Sequence, residues 1–327
     1  MKRTRSPLPA GEGAGAKRPA GEGGVSLLLI PLLCLAACLE EPRSHLPPPR
    51  SVSASNEQPP LPPGVTKLRI ALVPITNPEA LEHSWSNLIG YLTQRLGVPC
   101  EVVMGADYDD AGKKLAAGEV DLVSFSPYAY VRAGRKVKLK PLVTVVSDGS
   151  QTAGSYVLVR EDSKRQTFDD LKGATFGYVD KASTSGYLYP VKLMLDRGWD
   201  PKTAFARTDF FGNHEAVLLA IMAGKVDAGA TYFGALKALK EHRGIDPLSF
   251  RVVAKTERTP HDVIAMRADA DERIGTAVSA ALLRLTVRDE EGRRLLTPLD
   301  MNGFYPAEEK LYDRVRAVAD EVEAKVQ

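Results

Sequence analysis

Residues 115–127, LAAGEVDLVSFSP, are echoed by residues 221–233, IMAGKVDAGATYF. In both, an amphipathic run stops at a glycine, a charged residue follows, and Val-Asp opens an apolar run. Glycine just past the last helical turn accepts the left-handed stop of a helix. The echo reads as two equivalent helix-to-strand junctions, one in each of two similar α/β units. The flanking sequence agrees. Apolar runs at 67–73, 100–104 and 120–125 read as strands, with helices at 79–97 and 108–118. In the second unit, runs at 174–179, 205–211 and 226–232 read as strands and 214–224 as a helix. Such alternation predicts mostly parallel sheets covered by helices. Sheets of this kind take ligands beyond the carboxyl ends of their strands. Two facing units make a cleft, so polar residues at strand ends are the candidates.

The first 64 residues stand apart. A basic, Gly- and Pro-rich start is followed by the apolar run VSLLLIPLLCLAA at 25–37. That run is shorter than the ~20 residues a spanning helix needs, and its order of basic, apolar and small residues is that of a secretion signal. Leu35-Ala36-Ala37-Cys38 resembles the lipobox of bacterial lipoproteins. The resemblance implies cleavage before Cys38 and a lipid on that cysteine; a plain signal peptide cut near Ala37 is the alternative. The Pro- and Ser-rich stretch from 38 to 64 reads as an extended tether. Removing residues 1–37 takes away five basic and two acidic residues, which turns a net charge of +2 into −1. That balance gives no nucleic-acid surface. Beyond Cys34 and Cys38 only Cys100 remains, so there is no disulfide framework and no cysteine metal site.

Four stretches offer polar groups at strand ends. In DKASTSGYLYP (180–190), Ser183, Thr184 and Ser185 lie between a strand and a helix read over VKLMLDRGW. A helix start presents unpaired N–H groups and the positive end of its dipole, which suits a small oxyanion. The hydroxyls serve either as such a grip or as ordinary caps. In FFGNHEAV (210–217), Asn213 is placed to cap a helix and His214 falls in its first turn, where it either donates to an anion, which would favour the imidazolium, or is simply exposed. Asp262 in RTPHDVIAMR precedes a strand-like run, as a ligand contact or a turn residue. In VSFSPYAYV, Ser126 caps a helix that starts with Pro127, and Phe125 at the strand end is expected to face the cleft. No nucleophile elbow, H-E-x-x-H motif or Walker loop is present, and the five histidines lack metal-ligand spacing. Neither a catalytic set nor a cofactor or metal site is expected.

Taken together and in order, DKASTSGYLYP, NHEAVLLAIMAGKVDAGAT, GEVDLVSFSP and TPHDVI resemble the periplasmic phosphate/phosphite/phosphonate-binding proteins of ABC transporters, over roughly 67–305. The resemblance implies an α/β, two-lobed solute-binding fold of type II kind, with two crossovers and a ligand cleft between lobes. Lobe 1 would comprise 65–152 plus 262–327 and lobe 2 153–261, with the C-terminal helices packed on lobe 1. It implies that Ser183, Thr184 and Ser185 bind the oxygens of the phosphorus group, with His214 and Asp262 as further contacts. Departures are also visible. Phe125 stands where members often carry an aromatic hydroxyl. A second family aromatic falls at or near Ala153 or Gly154, and Gly234 stands near the place of an acid that holds a ligand ammonium. These departures imply a ligand without an amine, or one quite different from the family's best-known substrate.

The expected function is a substrate-binding lipoprotein of an ABC importer. It would take a small phosphorus oxyanion, partner permease subunits and be held to a membrane through Cys38. A ligand-sensing lipoprotein that partners a sensor kinase is the alternative, and an enzyme using the same cleft ranks below both.

Overall fold

The computed structural model describes residues 58–326. The secretion signal at 1–37, Cys38 and residues 39–57 of the tether lie outside the described residues. The chain begins with β1 (Leu68–Leu72), α1 (Pro78–Leu96), β2 (Cys100–Met104), α2 (Tyr108–Ala116), β3 (Leu122–Phe125), α3 (Pro127–Gly134) and β4 (Leu139–Val146). It crosses through 147–151 into β5 (Thr152–Arg160), β6 (Thr175–Tyr178), a π-helical turn (Thr184–Leu188) and α4 (Tyr189–Asp196). There follow β7 (Arg207–Phe210), α5 (His214–Met222), β8 (Ala228–Tyr232), α6 (Phe233–Arg243) and β9 (Phe250–Pro260). The return through 261–262 leads to β10 (Val263–Arg267), α7 (Glu272–Leu283), α8 (Glu290–Leu296), β11 (Gly303–Pro306) and α9 (Asp313–Val326).

Two sheets result, one per lobe: β11-β4-β10-β3-β1-β2 and β7-β6-β8-β5-β9. Both are mixed, which corrects the expectation of mostly parallel sheets. β1 runs parallel to β2 and β3, and β6 to β7 and β8. The strands that enter each lobe from a crossover run the other way. β10 enters beside the end of β3, with Val263 opposite Phe125, and β5 enters beside the end of β8, with Ser155 opposite Tyr232. A strand that starts at the cleft must run against strands that finish there.

The sequence echo is structural. Gly118 and Gly224 stop their helices at φ 72° and 68°, a region glycine enters without a Cβ penalty. The two aspartates then act alike. Asp121 accepts the Arg69 N–H at 2.7 Å, and Asp227 accepts the Thr175 N–H at 2.8 Å, each pinning the first residues of a neighbouring strand.

One apolar cluster covers the outer face of the lobe 1 sheet, where Leu81, Trp85, Leu88 and Leu92 of α1 meet Val278 and Leu282 of α7. A fully buried leucine contributes about 1.5–3 kcal/mol. A second cluster runs from the other face through the whole of lobe 2. It includes Val315, Val318, Ala319 and Val322 of α9. α9 does not pack on lobe 1 alone, as expected for the C-terminal helices. It touches α3 in lobe 1 and α4 in lobe 2, with Glu323 bound to Tyr128 and Arg135, and Glu321 to Lys192. No helix among the described residues is long and apolar enough to cross a membrane.

Candidate functional site

The strand ends of both lobes face one cleft. Lobe 2 lines it with Ser183, Thr184, Ser185, His214 and Tyr232, and lobe 1 with Tyr108, Ser126 and Asp262. The hydroxyl run opens a helix one turn earlier than the sequence suggested. Residues 184–188 form a π-helical turn, closed by the Leu188 N–H donating to Ser183 O at 3.0 Å, and α4 continues from it. Gly186 makes this turn close-packed, since a Cβ there would meet Val179 at 2.3 Å.

The grip and cap readings of the run are compatible. Ser183 Oγ accepts the Gly186 N–H at 3.0 Å, an N-cap within the turn. Thr184 Oγ1 accepts the Tyr128 N–H of lobe 1 at 2.9 Å. A hydroxyl that accepts from the backbone still has its own proton to donate. The backbone therefore fixes both oxygens and leaves both O–H groups available as donors, with Ser185 beside them on the cleft wall.

His214 begins α5, capped by Asn213, whose side chain accepts the Ala216 N–H at 2.8 Å. Its backbone N–H donates to Ile75 O of lobe 1 at 3.1 Å, so this helix start also touches both lobes. Nδ1 lies 2.9 Å from Thr231 Oγ1. The imidazolium was expected with an anion bound; without one, this buried setting favours the neutral ring. Burial pushes the ring down to about 3, so it is neutral near pH 7. Asp262 lies deep in the cleft. Its backbone carbonyl accepts from Val145 N and Thr144 Oγ1, which holds it beside β4. Burial pushes its carboxyl up to about 7.

Ser126 caps α3 as expected, with Pro127 next and its Oγ accepting the Ala129 N–H at 3.4 Å. Phe125 is different. It is fully buried, stands off the cleft lining, and its ring lies against Gly112 and Tyr130, under α2 and α3. Successive side chains of a strand point to opposite faces, and at this position β3 turns toward the helices.

The residue that sequence reasoning missed is Tyr108, the first residue of α2. Asp107 caps that helix by accepting the Asp110 N–H at 2.7 Å. The start of α2 thus points Tyr108 into the cleft, where its hydroxyl is buried beside Ser183 without a well-formed hydrogen bond. Burial, then Asp262, raises it well above the usual tyrosine range. It is therefore a protonated donor awaiting an acceptor. The sequence signal was available: an Asp-Tyr pair at the start of a helix that follows a strand end.

Four helical starts, those of α2, α3, α5 and the π-helical turn, thus meet around uncharged O–H and N–H donors and one carboxyl. Residues 70–312 match the family described as ABC transporter, phosphonate, periplasmic substrate-binding protein. The chain belongs to that family. Among relatives of these phosphonate-type binding proteins, the phosphate-import protein PhnD of Mycolicibacterium smegmatis is 30% identical over 77% of this chain and 85% of its own. The binding component of an ABC phosphonate transporter from Pseudomonas aeruginosa superposes with a TM-score of 0.74 at 20% identity, over 79% of this chain and 87% of that one. PhnD1 of Prochlorococcus marinus, solved with methylphosphonate, gives 0.70 at 19%, over 79% and 98%.

In this member of the family the other end of the cleft is built from charges. Asp148, Ala153, Gly154, Gly234, Arg258, His261 and Asp300 line it. Tyr156 is buried in β5 beside Phe233 and is not part of the lining. Among the described residues no cluster of His, Cys, Asp or Glu is arranged to hold a metal ion.

Proposed function

We propose that this chain is the solute receptor of an ABC importer and binds a small phosphorus oxyanion of the phosphonate, phosphite or phosphate class between its lobes. The observation that carries the reading is the meeting of Ser183, Thr184, Ser185, Tyr108, His214 and Asp262 around one cleft. Five of the six offer protons. A tetrahedral oxyanion takes several donors at once, and charge-assisted hydrogen bonds are about twice as strong as neutral ones. Neutral His214 donates through Nε2 when Nδ1 accepts from the Thr231 hydroxyl. Asp262 cannot donate as a carboxylate; with its carboxyl near 7 it shares a proton with a ligand P–OH. Phosphorus oxyanions bring that proton near neutral pH, whereas sulfate is fully ionised.

Binding and release need only hinge motion of the lobes. The relatives that span most of this chain are transport proteins. The reading divides the body into lobe 1 (65–152 plus 262–327) and lobe 2 (153–261), and tethers it through a lipid on Cys38, on the strength of Leu35-Ala36-Ala37-Cys38. Titration calorimetry with phosphate, phosphite, methylphosphonate and sulfate tests the ligand class. At least one phosphorus ligand is expected to bind roughly hundredfold tighter than sulfate, the scale of discrimination a buried polar group supplies. Binding of none of the three by folded protein would sink the reading.

A further inference from the structure

Asp148 follows β4 and Asp300 precedes β11, so both stand on lobe 1, and both line the cleft. They are also the only non-glycine residues among those described with positive φ, at 49° and 53°. A side chain in that region strains the backbone, and such strain persists only where the surroundings impose it. Here the two carboxylates converge on one partner from the opposite lobe. Lys237 of α6 bonds Asp148 through Nζ and reaches Asp300 Oδ1 at 3.2 Å, with its ammonium 5.2 Å from the Phe233 ring centre. Asp300 also approaches Gly234 closely. A Cβ at Gly234 would meet Asp300 Oδ2 at 3.0 Å and the Tyr232 ring at 2.6 Å. Any side chain at 234 would require the Tyr232 ring to move and Asp300 to give slightly.

The resemblance implied that the acid near Gly234 is missing, so that a ligand ammonium loses that partner. Two other carboxylates stand at this end, and a lysine of the chain pairs them. We propose that Lys237 is a specificity-determining residue that occupies both carboxylates and halves their charge from within, so that the receptor favours phosphorus oxyanions whose substituent carries no cation. The proposal rests on the ligand class argued above. With Lys237 in place an incoming ammonium meets a wall whose negative charge is halved, and a like charge behind it. Without Lys237 the same wall on lobe 1 presents two carboxylates that have lost their lysine.

The test uses ethylphosphonate and aminomethylphosphonate, which have the same shape and differ by one positive charge. Calorimetry on the purified protein, on Lys237→Met and on Asp300→Asn gives the ratio of their affinities in each. Unmodified protein is expected to favour ethylphosphonate. Lys237→Met shifts the ratio toward aminomethylphosphonate by about tenfold or more, the effect of a unit charge several ångströms away in a partly screened site. Asp300→Asn, which leaves Lys237 balanced by Asp148 alone, shifts it the opposite way. A residue that merely latches the lobes would change both affinities equally; ratios within threefold of the unmodified protein in both variants overturn the proposal and leave the phosphorus reading standing. Failure of the unmodified protein to bind any phosphorus ligand overturns both. Circular dichroism confirms that each variant is folded.

Discussion

The two ends of the cleft are built on opposite principles. At the inner end Ser183, Thr184 and Tyr108 present hydroxyls that are positioned by backbone and neighbours but whose protons are uncommitted, and His214 stands against Thr231. At the outer end Asp148, Asp300 and Lys237 satisfy one another across the lobes. A group left without a partner in a buried place costs stability, on the order of 1–3 kcal/mol. A closed ion cluster carries no such cost and attracts little. The contrast teaches where recognition energy would reside under the proposed function: the inner end offers donors to a head group, and the outer end would set which substituents follow it.

The largest blow to that contrast is removal of inner donors. Thr184→Ala together with Ser185→Ala is expected to weaken phosphorus-ligand binding by roughly 1.5–3 kcal/mol for each lost charge-assisted bond, read by calorimetry. Because Thr184 also receives the Tyr128 N–H, a modest fall in melting temperature accompanies it. Unchanged affinity with lower stability would return the run to capping alone.

Next comes Tyr108→Phe, which separates binding from folding. Affinity falls by roughly ten- to a hundredfold, one hydrogen bond to a charged group. Stability holds or rises, because the lost hydroxyl had no well-formed partner in the unliganded protein. A drop in melting temperature of several degrees would show that the hydroxyl is structural.

The smallest effect is on pH dependence. Asp262 has its carboxyl raised from 3.8 to about 7 in the folded protein. The folded state therefore holds a proton that the unfolded chain has lost, and stability falls as pH rises from near 4 to near 7. Asp262→Asn is expected to raise stability at pH 8 by roughly 1–3 kcal/mol, the cost of a buried carboxylate left unpaired, with little change at pH 4. Denaturant titration at the two pH values checks it. Equal effects at both would mean that the carboxyl is not perturbed. The same variant loses the preference over sulfate if Asp262 reads a ligand proton.

Much of this was written locally. The glycine stops at 118 and 224, the caps at Asn213 and Ser126, and the aspartates that pin neighbouring strands depend on residues a few positions apart. The hydroxyl run and His214 were legible because helix starts announce themselves. Phe125 was misread because all four residues of β3 are buried, so nothing in its hydrophobic pattern tells which face a side chain takes. Sheet direction was misread because a strand's polarity depends on the side from which a crossover enters.

The sequence by itself determined the α/β units, their junctions and the chemistry of the hydroxyl run, since propensity, capping and turn geometry act over a single turn. Only the tertiary structure decided that Tyr108 lines the cleft and that Lys237 pairs with Asp148 and Asp300. Those partners lie 89 and 63 residues away from the lysine along the chain. Electrostatic pairing depends on distance in space and on how much water is excluded, and neither is fixed until the lobes meet.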